Sequence, residues 1–134
     1  MAGADVVARA VYRQTLDTAL GDLSVVVGLA SATMEFLVLS FPERTAAALA
    51  GRMLAGVTEK LDEGLIRDCV GEIANVVCGQ AKAMLAGTLH QFVFSMPKVV
   101  AGANESQPRQ DLDCLVVVFS SDRGEFTMRV FLKS

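Results

Sequence analysis

The stretch from Ser24 to Phe41 constrains the fold of this chain more than any other. It is largely apolar, and Glu35 is its only charged residue. A membrane-spanning helix needs about 20 predominantly apolar residues, but this run is rich in β-branched residues and is broken by Gly28, Ser31 and Thr33. It divides into two strand-length segments, residues 24–31 and 34–40, joined by a short turn. Apolar segments of that length and bounded in that way form hairpins. The sequence therefore predicts a soluble, sheet-building chain with no membrane partner.

Helical spacing sets the rest of the frame. Residues 5–20 carry Val7, Val11, Leu16 and Leu20 at near-helical intervals, with Arg9, Arg13 and Asp17 between them. That pattern predicts an amphipathic first helix ended by Gly21 and Asp22. Ser40 and Glu43 have capping-box spacing, with Pro42 tolerated in the first turn, so a second helix is predicted through residues 45–54, stopping near Gly56. Thr58 is placed to cap a long third helix over about residues 59–86. No proline interrupts it, although Gly64, Gly71 and Gly79 each cost about 1 kcal/mol against alanine. Strands follow at residues 91–94, 97–102, 112–120 and 125–132, with a polar loop over 103–110 and a turn at 121–124. The predicted order, α-β-β-α-α-β-β-β, describes an α/β (α+β) architecture with two long helices on one face of a mostly antiparallel sheet. At 134 residues the whole chain, 1–134, reads as a single domain.

Composition narrows the function. A net charge of −3 with scattered basic residues speaks against nucleic acid or an anionic membrane as partner. The hydrophobic content of 52% excludes disorder and leaves little polar surface, which predicts a self-associating face. Three cysteines, and a start without a basic segment leading into an apolar one, predict a reducing cytoplasm. Cys69 and Cys78 lie about 180° apart around a helix and cannot chelate one metal together. Buried, inert thiols are the default for them and for Cys114. His90 reads as a surface or capping histidine near a helix C-terminus. No metal site is predicted.

The long helix carries the candidate site. At 100° per residue, Asp68, Glu72, Asn75, Gly79 and Lys82 fall within a sector of about 80°. Ile66, Val70, Ile73, Val77, Ala81 and Met84 lie on other sides and can supply the core face. Asp68 and Glu72 are separated by i, i+4, and Glu72 and Asn75 by i, i+3, so the three side chains stand in a row. The like charges of Asp68 and Glu72 repel slightly, so helix stability does not account for them. Spacing alone also fits a solvated face.

The run Asp68-Cys-Val-Gly-Glu-Ile-Ala-Asn-Val-Val-Cys-Gly79 resembles the signature of the CheC/CheX/FliY chemotaxis phosphatases: Asp or Ser, three residues, Glu, two residues, Asn, with glycine four further on. The resemblance continues through Pro97-Lys-Val-Val-Ala-Gly102 and into the last two strands. CheC-type members carry the signature twice, whereas residues 6–20 hold no Glu-x-x-Asn here, so the chain looks CheX-like. What the resemblance implies is a CheC-like fold, a homodimer, and a hydrolase that removes the phosphoryl group from a CheY-like response regulator. Asn75 would position the attacking water, Glu72 would pair with the regulator's lysine, Asp68 would add a polar contact, and Gly79 would admit the partner's backbone. The chain itself would bind no cofactor, Mg²⁺ being expected in the regulator. The alternative is a non-catalytic module of the same fold that docks a regulator or a flagellar-switch component.

Overall fold

The structure is a computed structural model, and it describes residues 6–14, 22–57, 60–101 and 113–133, the first of these as backbone. Its centre is the predicted hairpin, β2 (Leu23–Ser31) and β3 (Met34–Phe41), paired in a register that sets Val25 opposite Leu39 and Val27 opposite Leu37. Alternation along both strands puts Val25, Val27, Leu37, Leu39 and Phe41 on one buried face. No helix among the described residues is long and apolar enough to cross a membrane.

Around this hairpin the sheet is antiparallel throughout. β3 pairs with β7 (Gly124–Leu132), which pairs with β6 (Cys114–Ser121). On the other side β2 carries two short strands along one edge. β4 (Phe92–Phe94) lies beside Leu29, Ala30 and Ser31, and β5 (Lys98–Ala101) lies beside Leu23 to Val26. The chain passes from β4 to β5 by crossing Gly28, whose N–H donates to Ser95 Oγ at 3.0 Å while Ser95 N–H donates to Gly28 O at 2.9 Å. A Cβ at Gly28 would crowd that hydroxyl at 3.2 Å.

The predicted first helix is a correction. Over Val6–Gln14 the chain forms β1, which extends the sheet beyond β6 with a register shift between Ala8 and Ala10. The remainder of the predicted helix lies outside the described residues. Val7 and Val11 fit helical spacing, but Val6, Ala8, Ala10 and Tyr12 also form an apolar set with period two, with Arg9 and Arg13 on the other parity. The segment is rich in β-branched residues. Backbone pairing with β6 decides between the two periods, and that partner lies at the far end of the chain.

Two helices pack on one face of the sheet, α1 (Glu43–Met53) and α2 (Glu63–Leu85). The proposed capping box at Ser40 is not formed. Pro42 occupies the N-cap without a side-chain bond, and Glu43 N–H donates instead to Asp22 Oδ2 at 2.9 Å. Ser40 is buried, its Oγ 3.0 Å from Ser24 Oγ. α2 begins at Glu63 with Asp62 as its cap, Oδ1 accepting from Leu65 N–H at 2.8 Å. Thr58 and the predicted loop at 103–110 lie outside the described residues. Leu49, Val70, Ile73 and Phe126 close the core between helices and sheet. The opposite face of the sheet buries its own cluster, Val38, Cys114, Val116 and Phe131, with Phe36 stacked on Phe131 at 4.5 Å.

Candidate functional site

α2 holds the candidate site because its two sides meet different media. Cys69, Val70, Ile73, Ala74 and Cys78 are buried against the sheet and α1. Gly71 faces β5, where an added Cβ would rest 3.7 Å from Val99 Cγ2. On the outer side Asp68, Glu72, Asn75, Gly79 and Lys82 are all exposed. From Asp68 to Lys82 this row runs about 21 Å along the axis at the helical rise. Among the described residues, the side chains of Asp68, Glu72, Asn75 and Lys82 make no hydrogen bond or ion pair. Arg67 and Glu63, at 3.4 Å, form their own pair nearer the N-terminus.

Gly79 is open in a stricter sense. Nothing lies within 4 Å of the position its Cβ would take, so packing inside the chain does not require glycine there. The exposed row therefore offers a carboxylate, an amide one turn further on, and a bare stretch of backbone beyond both. An amide donates and accepts hydrogen bonds without titrating, which suits it to holding a water rather than to moving a proton.

Among the described residues, no competing chemistry lies on this surface. Burial pushes the Cys78 thiol up to about 11, and burial followed by the charge of Asp68 raises that of Cys69. Both are thiols at neutral pH and poor nucleophiles. Cys114 is buried on the other face of the sheet. His90 is exposed, its Nδ1 2.8 Å from Thr33 Oγ1, and it ties the segment after α2 to the β2–β3 turn. No group of three metal-ligating side chains occurs among the described residues.

One feature beside the row escaped the sequence reading. Lys82 stands in the wall of a groove of about 790 Å³ formed with Ser31, Leu89 and Phe92. Its walls come from segments distant in sequence, and Lys82 alone was visible as part of a pattern. Met84, assigned to the core by its helical angle, is 81% exposed, and Leu85 packs against the core instead.

Comparison with known proteins gives a consistent picture. The family profile described as chemotaxis phosphatase CheX matches residues 23–120. A chemotaxis protein CheX from Desulfovibrio desulfuricans superposes with a TM-score of 0.84 at 27% identity, over 99% of this chain and 89% of that one. A CheX from Vibrio vulnificus gives 0.79 at 27% identity, over 99% and 89%. The fold is also shared, at 17% identity and a TM-score of 0.74 over 98% and 85%, with a CheX–CheY–BeF3–Mg²⁺ complex from Borrelia burgdorferi. A search of curated protein sequences returns no match.

Proposed function

Because this chain belongs to the CheX family of chemotaxis phosphatases, we propose that it hydrolyses the aspartyl phosphate of a CheY-like response regulator in the cytoplasm. One observation carries the reading: Glu72 and Asn75 stand exposed and unengaged on α2, inside the matched region. The Borrelia CheX, whose complex holds CheY with BeF3 and Mg²⁺, supports the choice of partner.

Phosphoryl transfer asks a protein chiefly for positioning and charge compensation. Asn75 enters the regulator's site and holds a water in line with the acyl-phosphate bond, donating through Nδ2 and accepting through Oδ1. The water oxygen bonds to phosphorus as the phosphorus–oxygen bond to the aspartate breaks. The electron pair stays on the regulator's carboxylate, and the water's proton leaves with phosphate or into solvent. Glu72, one turn away, pairs with the regulator's lysine and sets the register of α2. Asp68 adds a polar contact at the rim, and Gly79 lets the partner's backbone close on the helix. Mg²⁺ belongs to the regulator; this chain contributes no ligand to it.

The test is phosphate release from phosphorylated CheY-like regulators of the same organism, with and without this protein. Acceleration is expected for at least one. Unchanged rates across all of them overturn the enzymatic reading in favour of a docking module. A homodimer formed through sheet edges or faces, with the exposed row of α2 left free, belongs to the same reading. Light scattering at micromolar concentration should give twice the 14.2 kDa chain mass, and a monomer would count against it.

A further inference from the structure

A second site lies across the sheet from α2. Arg129 points to the face opposite the helices, paired with Val38 on β3 and Val116 on β6, both fully buried. Only 9% of Arg129 is exposed, and its Nε is buried without a hydrogen-bond partner. No carboxylate among the described residues forms an ion pair with it. A nearly buried guanidinium with its Nε–H unmet is costlier than an apolar side chain of the same length.

Arg129 also stands in the wall of a cavity of about 320 Å³. Ser40 and Thr127, directly paired on β3 and β7, line the same wall with Val118, the Ser40 hydroxyl being already engaged with Ser24 Oγ. Asp22 and Glu125, both exposed, complete the wall. The planar guanidinium matches carboxylate or phosphoryl oxygens two at a time. The two carboxylates would repel a second negative charge and favour a positive one. Together these groups select a monoanion that also carries a cation.

We propose that this cavity binds a small amino-carboxylic acid, its carboxylate on Arg129 and its ammonium towards Asp22 and Glu125. The site shares no residue with the exposed row on α2, so its failure and that of the phosphatase mechanism are distinguishable.

The experiment is an NMR titration of the full chain with the free amino acids, using acetate and inorganic phosphate as comparison probes. At least one amino acid should saturably shift the methyl resonances of Val118 and Thr127, binding about tenfold or more tighter than either probe. Arg129→Met should abolish the shifts. Arg129→Lys, which keeps the charge but loses the fork, should weaken binding by about tenfold or more, and it serves if Arg129→Met fails to fold. The proposal is overturned if no amino acid shifts those methyls, if phosphate binds as tightly, or if a folded Arg129 variant binds as the unsubstituted chain does.

Discussion

Glu72 and Asn75 share the exposed side of α2, while the two residues between them, Ile73 and Ala74, are 1% and 0% exposed. The same helical turn thus anchors the core and presents the candidate chemistry. Substitutions at the two outer positions leave the packed layer untouched.

The roles proposed for them separate in kinetics. Asn75 orients water as the transition state forms, so Asn75→Ala should lower single-turnover dephosphorylation by a factor of about 10² or more with regulator affinity nearly unchanged. Glu72 makes a pair already present in the complex, so Glu72→Ala should also weaken binding, by about 2–5 kcal/mol if that pair is desolvated. Neither should change unfolding free energy by more than about 0.5 kcal/mol. Affinity for a phosphate-mimic-bound regulator, single-turnover rates and denaturant midpoints together check this, and full activity in Asn75→Ala would sink the mechanism.

Gly79→Ala should separate folding from recognition. With nothing near the missing Cβ, alanine should stabilise α2 by up to about 1 kcal/mol. If a partner's backbone closes on this position, the same methyl should weaken regulator binding. A raised denaturant midpoint with reduced affinity is expected, and undiminished affinity would remove Gly79 from the interface.

The β6–β7 turn depends on Gly124. Its φ is +124°, and an added Cβ would run into Thr45 Oγ1 on α1. Gly124→Ala should therefore cost about 1–3 kcal/mol through backbone strain and displacement of the helix. Combining it with Thr45→Ala should recover the steric share alone, a coupling readable from a double-mutant cycle in urea.

Alkaline pH should loosen the core through Cys78. Its folded-state thiol ionises only at about 11, whereas an unfolded thiol ionises near pH 8.5. The folded chain holds this proton more tightly, so the contribution is complete below the unfolded value and is lost as pH rises towards 11. Burial shifts Cys69 in the same direction. Stability measured from pH 8 to 11 should fall, and Cys78→Ala should show a shallower fall from its own starting value.

Several parts of this protein were legible in local pattern. The hairpin of β2 and β3 follows from two apolar, strand-length runs about a polar turn, and the inward and outward sides of α2 follow from its 3.6-residue period. The row from Asp68 to Lys82 could be drawn on a helical wheel, and it is exposed in the fold. These features arise between residues a few positions apart, whose geometry the backbone periods dictate. Other choices were contests between distant segments. Val6–Gln14 satisfies both periods, and pairing with β6 makes it a strand. Ser40 and Asp22 both had oxygens suited to the start of α1, and burial against Ser24 took Ser40 out of that role. Arg129 sits in a strand-like alternation that says nothing of its burial, which depends on both neighbouring strands. Periodicity settles which way a side chain points from its own element; which partner meets it there is settled only when remote segments compete for the same backbone groups and the same buried space.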